Sequence, residues 1–152
     1  MPYTTAEARQ QLLDTLAQAI DELGVALAAL TEAYEALDEN TADRLERDLF
    51  GPVQLAYGRA RRTHAEFAER HGLPGRTFAG AVPPAPSRGA RGLVEDAVRA
   101  VAQADVILGA LQDSMLPVEV GDPPLRAGLE EVRSLLGAVA ASARELVRVF
   151  GR

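Results

Sequence analysis

Apolar positions recur with helical spacing along most of this chain. In the first third, the steps between large apolar side chains alternate between three and four residues, at Leu13, Leu16, Ile20, Leu23, Leu27, Leu30, Tyr34 and Leu37. This alternation is typical of the heptad seam of an amphipathic helix that packs against other helices. Thr4 and Glu7 have the spacing of a capping box, so the pattern predicts a helix over residues 5–38.

A second helix is predicted over residues 41–71, with a less regular stripe. The stripe is formed by Leu45, Leu49, Val53, Ala56, Ala60, His64, Phe67 and His71. Pro52 lacks an amide donor and crowds the preceding turn, so we expect a kink there or two helices end to end. Because proline and both histidines fall on this helix, it is the first place to look for a site.

Two further seams complete the pattern. A helix over residues 90–116 has its apolar stripe at Val94, Ala97, Val101, Ala104, Leu108, Leu111 and Met115. A helix over residues 123–150, which Asp122 caps and Pro123 opens, has its stripe at Leu129, Val132, Leu136, Val139, Ala143, Leu146 and Phe150. Residues 72–88 between the second and third helices are rich in proline and glycine, and we expect an ordered loop along the helices.

These four amphipathic segments predict an all-α fold in one domain, residues 1–152: a left-handed antiparallel four-helix bundle with heptad seams and a long Pro/Gly-rich loop between helices two and three. An up-down-up-down order places the strongly acidic first helix between the second and the fourth, where its carboxylates would face arginines. The 72–88 loop is also long enough to cross along the whole bundle.

Composition narrows the chemistry. The 152 residues include no cysteine, and all 16 basic residues are arginine, which excludes disulfides, thiolate metal sites and lysine Schiff-base chemistry. The net charge of -6 disfavours nucleic acid and anionic membranes as partners. No apolar run approaches the ~18 residues of a membrane span, and Met1-Pro2-Tyr3 does not begin a signal peptide. We therefore expect a soluble cytoplasmic protein.

Few residues could carry a site. His64 and His71 share a face of the second helix and are candidate metal ligands, but no third histidine exists. We therefore expect a hydrogen-bonded structural His64, a surface His71 near the helix end, and neither metal nor cofactor. Asp105 borders the apolar stripe of the third helix. It could act as a base, pair with an arginine or face another subunit. Tyr57, His64 and Asp105 are the candidates for lining a ligand site in the core.

One stretch of the first helix, residues 24–30, is apolar on every side, whereas a surface helix has a polar back. We expect Val25, Ala28 and Ala29 to be covered either by a second subunit or by the long loop, through Phe78 and Val82. Because the sequence contains no recognisable set of catalytic residues, the leading hypothesis is a non-enzymatic module. It self-associates, as a homodimer or other homo-oligomer, or binds another protein. The alternative hypothesis is a bundle that binds a metal, haem or small apolar ligand near His64.

Overall fold

The computed structural model describes residues 4–82 and 89–150, with only the backbone of Phe150. Its elements are α1 (Thr5–Glu35), α2 (Glu39–Leu45), a π-helical turn (Glu46–Phe50), α3 (Gly51–Arg70), α4 (Gly89–Asp113), α5 (Leu116–Glu119) and α6 (Pro123–Phe150). All regular structure in these ranges is helical, so the all-α prediction is confirmed. None of the described helices is long and apolar enough to cross a membrane. Residues 83–88 of the predicted loop lie outside the described residues.

The capping box opens α1 as predicted. The Glu7 amide donates to Thr4 Oγ1 at 3.1 Å, and the Thr4 amide donates to a carboxylate oxygen of Glu7 at 3.3 Å. The two bonds satisfy donors that a helix start leaves free. The helix ends at Glu35 instead of residue 38, because the chain turns there and Asp38 occupies the cap position of α2.

Pro52 leaves the second helix continuous. The π-helical turn lies immediately before it, and the Gly51 amide donates to the Glu46 carbonyl, five residues back. In a regular α-helix the proline ring would clash with the carbonyl four residues earlier. The wider π-helical turn relieves this clash. A Cβ at Gly51 would lie only 3.0 Å from the Glu46 carbonyl oxygen, so glycine suits this turn. The predicted kink is therefore a local widening, and the helix begins at Glu39 instead of residue 41.

The long helices pack mainly as antiparallel neighbours. α1 packs against α3 and α4, and α6 packs against the same two helices from the other side. At one end, Arg9 of α1 donates to the Val120 carbonyl after α5, and Arg70 at the end of α3 pairs with Asp122 before α6. The expectation that the first helix lies between the second and the fourth is wrong: α1 lies between α3 and α4, diagonal to α6. Because α3 and α4 run in the same direction, the chain between them has to return along their length, and at ~3.3 Å per residue it can.

The predicted seams supply most of the buried core. Its largest fully buried side chains include Phe67, Leu12, Leu13, Leu16, Ile20, Leu23, Leu30, Leu45, Leu49, Leu93, Leu108 and Leu125. Two seam predictions are wrong, because Tyr34 and Met115 are exposed. Tyr34 lies in the last turn of α1, where the helix is about to end. Met115 follows the end of α4 with φ of 68°, so the helical period no longer applies to it.

The connecting segment, residues 72–82, contains no helix or strand. It lies against α1 and α3. Arg76 forms an ion pair with Asp21 of α1 at 3.0 Å, and Phe78 contacts His64 of α3 edge-on, with ring centroids 5.3 Å apart. Further along, Ala81 lines a shallow depression beside Ala28 of α1. The segment therefore covers part of the outer side of α1.

Gly128 lies where α6 closely approaches Thr63 of α3. A Cβ at this position would overlap the Oγ1 and Cγ2 atoms of Thr63, which is buried and whose hydroxyl donates to the Arg59 carbonyl. We expect Gly128→Ala to destabilise the fold by about 1–3 kcal/mol through overpacking. The matched control is Gly58→Ala, where a Cβ meets nothing within 4 Å and better helix propensity should stabilise by up to ~1 kcal/mol. Urea unfolding measures both, and equal effects of the two substitutions would contradict the close approach.

Candidate functional site

His64 is a buried polar side chain at the junction of α3, α1 and the connecting segment. It is 3% exposed, and its Nδ1 atom is buried without a hydrogen-bond partner. Phe78 covers the ring, and the Arg76 guanidinium lies 4.8 Å from the centre of the Phe78 ring. An unsatisfied nitrogen in such a place costs free energy, which distinguishes His64 from the hydrogen-bonded structural histidine that the sequence predicts.

The charge state of His64 follows from these surroundings. Burial lowers the pKa of His64, and the nearby positive charge of Arg76 lowers it further, against an opposing effect of Asp14 on α1. The neutral imidazole is therefore the form that fits the folded protein. A neutral ring nitrogen is able to accept a hydrogen bond or bind a metal.

His71 belongs to a different cluster, at the end of α3. Its Nε2 lies 2.9 Å from Asp122, and Arg70 donates two hydrogen bonds of 2.8 Å to the same carboxylate. The Leu125 amide donates to Asp122 as well, at 2.9 Å, which makes Asp122 the cap of α6. The sequence places His71 on the surface, but the structure places it partly buried against Phe67 with a carboxylate partner.

Asp122 holds the end of α3 to the start of α6. Burial by itself raises the pKa of Asp122, but the hydrogen bonds from Arg70, Leu125 and His71 outweigh burial and hold that pKa well below its usual range. The carboxylate is thus a charged cap with a bidentate arginine, which is a strong pairing geometry.

The two histidines do not form a metal centre with other side chains in the described ranges. No group of three or more His, Asp or Glu side chains there could hold a metal ion. His64 contacts Phe78, and His71 contacts Asp122, so each ring has different neighbours although both project from one helix.

Tyr57 and Asp105 do not share a site with His64. Tyr57 lies near Gly24 of α1, with the Arg61 guanidinium 5.2 Å from the centre of its ring. Asp105 instead projects from α4 towards α6, where Arg133 donates to it at 2.9 Å. Of the roles open to Asp105 from the sequence, the structure shows the arginine pairing.

Arg133 joins α4 and α6 through several contacts. Besides Asp105 it donates to the Gln112 side chain at 2.9 Å, and a Cβ at Gly109 would lie 3.4 Å from its guanidinium. Asp105 and Gln112 are one heptad apart on α4, so a single arginine spans both. This network divides the outer face shared by α4 and α6 into two depressions.

The predicted interface on α1 is only partly available. Ala29 is 1% exposed, so its side chain lies in the core of the single chain. The reason is that α1 packs against both α3 and α4, which widens its buried face. Ala28 is partly covered, and Val25 is 44% exposed in a shallow groove beside Val82.

A larger apolar groove, which the sequence did not predict, lies between α4 and α6. Its volume is about 670 Å³, and its floor includes Val101, Leu136 and Val139. Val106 stands at its edge with 64% of its surface exposed, and Arg144 and Arg148 lie along its rim. A signal in the sequence was that the apolar residues of α6 extend beyond a single seam at Val147, which lines this groove.

The groove and the buried histidine are thus the two features that a ligand or partner could use. No protein-family model, no curated protein and no solved structure matches this chain. The function must therefore be inferred from the geometry and charge of these two places.

The first prediction for these sites concerns His64. Because the pKa of His64 is lower in the folded than in the unfolded chain, the unfolded chain binds the proton first as pH falls below ~6.5. The free energy of unfolding should therefore decrease between about pH 7.5 and pH 5.5. His64→Leu should show a smaller decrease, and it should be the more stable of the two at the lower pH because leucine takes up no proton on unfolding. Identical pH profiles in urea unfolding would contradict this account.

Asp122 gives the second prediction. Asp122→Ala should destabilise by at least the ~0.5–2 kcal/mol of a lost cap, and Asp122→Asn by less, since an amide oxygen still caps α6. The contribution of the charge is full above about pH 4 and is lost at more acidic pH, because folding lowers the pKa of Asp122. Asp43→Asn, on the exposed side of α2, is the control and should change stability by under ~0.5 kcal/mol. Urea unfolding at neutral pH checks the order, and an Ala variant as stable as the control would refute it.

Proposed function

We propose that this chain is a four-helix bundle that acts by protein–protein interaction, and that its first partner is a second copy of itself. The observation that carries the proposal is the groove of about 670 Å³ between α4 and α6. Exposed contiguous apolar surface of this kind is uncommon on monomeric proteins and is typical of interaction sites.

The exposed side chains around the groove support a protein partner. Val106 is 64% exposed, and the small side chains Ala102 and Ala140 line the same groove from its two helices. A shallow apolar strip between two helices fits a helix laid into it, which is a common mode of helical recognition. Arg144 and Arg148 at the rim provide the polar border that interfaces usually have.

The distribution of charge favours the face shared by α4 and α6 over the apolar stretch of α1, residues 24–30, as the contact between two copies. The first helix contains many carboxylates and a single basic residue, Arg9. Two copies that met through Val25 would bring their acidic helices together, which costs electrostatic free energy. Because α6 lies diagonal to α1, contact through α4 and α6 keeps the acidic helices of the two copies apart.

A small ligand near His64 is the second candidate function. It is favoured by the buried Nδ1 atom that has no hydrogen-bond partner, because an orphaned polar atom is able to bind a ligand group. Elemental analysis and an absorption spectrum of the purified protein test it. A metal or chromophore that His64→Leu removes would support this candidate, and a metal-free, colourless sample would count against bound metal or haem.

The groove proposal is tested by placing a charge in the groove. We expect the wild-type chain to sediment as a dimer, and Val106→Glu to weaken the dimer at least tenfold, because a desolvated carboxylate in an apolar contact is unfavourable. Leu55→Glu on α3 is a matched control, since Leu55 is 65% exposed outside the groove. Sedimentation equilibrium measures both. A monomeric wild type at high concentration, or equal effects of the two variants, would refute the proposal.

A further inference from the structure

We propose that two copies pair α6 against α6 in antiparallel orientation, about a two-fold axis at Gly137, with Glu130 of each copy facing Arg144 of the other. This inference rests on the proposed function, because it specifies how the α4 and α6 face meets a second copy. It is carried by the order, spacing and exposure of three residues on α6.

Glu130, Gly137 and Arg144 lie on one face of α6 at equal steps, and we call these three residues the stripe. Gly137 is seven residues after Glu130 and seven before Arg144. Seven residues are close to two helical turns, so the side chains point in similar directions, ~10 Å apart along the axis. In an antiparallel pair related by a two-fold axis at Gly137, Glu130 of each copy therefore lies opposite Arg144 of the other. This gives two identical contacts between opposite charges.

Both charged residues are available for such a contact. Glu130 and Arg144 are exposed and form no ion pair with any residue in ranges 4–82 and 89–150. The neighbouring arginines on α6 are already engaged, Arg133 with Asp105 and Arg148 with Glu145. Among the described residues, one acid and one base of this face therefore have no ion-pair partner.

The centre of the stripe permits close approach. A Cβ at Gly137 would meet nothing within 4 Å, so glycine is not needed there for packing within the chain. A glycine in the middle of a helix costs up to ~1 kcal/mol relative to alanine. Contact with a second helix gives this glycine a use, because small residues let helix backbones come close together.

The stripe is continuous with the apolar surface between α4 and α6. Arg144 borders the larger groove, and Glu130 borders the smaller depression on the other side of the Arg133 network. A helix laid along the stripe would therefore extend over both depressions. A second copy is favoured over an unrelated partner because Glu130 and Arg144 stand at equal distances on either side of Gly137. In an antiparallel pair each acid of one copy then faces the base of the other, and this self-complementarity is what a two-fold contact requires.

Charge reversal tests the pairing. We expect Arg144→Glu to raise the dimer dissociation constant at least tenfold, since each of two contacts changes from attraction to repulsion. The double variant Glu130→Arg with Arg144→Glu should restore it to within about threefold of wild type, because the same two contacts reform with the charges exchanged. Arg62→Glu, an equal charge change at an exposed position of α3, is the control and should change the constant by less than about threefold.

A single cysteine tests the axis, because the chain has none of its own. Under mild oxidation Gly137→Cys should form a covalent dimer, since a residue on a two-fold axis meets its own copy. Gly58→Cys, equally open on α3, should not. A wild-type dimer with no restoration by the double variant, or with no crosslink at Gly137, overturns this inference and leaves the proposed self-association standing. A monomeric wild type overturns both.

Discussion

The burial of one apolar stripe on each long helix is the interaction on which the rest of this structure depends. α1 contributes most to it, because most of its leucines and alanines lie inside the core, where it packs against α3 and α4. Each buried leucine contributes roughly 1.5–3 kcal/mol. Since short helices are marginal on their own, this shared core is what holds the helices in place.

Polar groups in this protein are mostly placed where they satisfy each other. Asp122 joins the end of α3 to the start of α6, and Arg133 spans the seam between α4 and α6. His64 departs from this rule, with a buried nitrogen that has no hydrogen-bond partner. A protein tolerates such a cost only when the surrounding packing compensates for it, and here Phe78 of the connecting segment supplies that packing.

The order of the helices separates the two sides of the molecule. The connecting segment lies along α1 and α3, as the contacts of Arg76 and Phe78 show. The face shared by α4 and α6 is left with an apolar groove. Because the acidic α1 lies diagonal to α6, the apolar surface is also the side on which a second copy would meet the least repulsion. This geometry is the basis of the function that we propose.

The spacing of apolar residues by itself determined the helices and most of their buried positions, because helical periodicity is a local property of the chain. Thr4 and Asp122 were predictable as caps for the same reason. Which helices become neighbours was decided only by the tertiary structure, since it depends on the return path between α3 and α4. The resulting arrangement, with α3 beside α6, gives His71 its partner Asp122. The groove likewise arises from how α4 and α6 pack, and spacing within either helix carries no information about the distance between them.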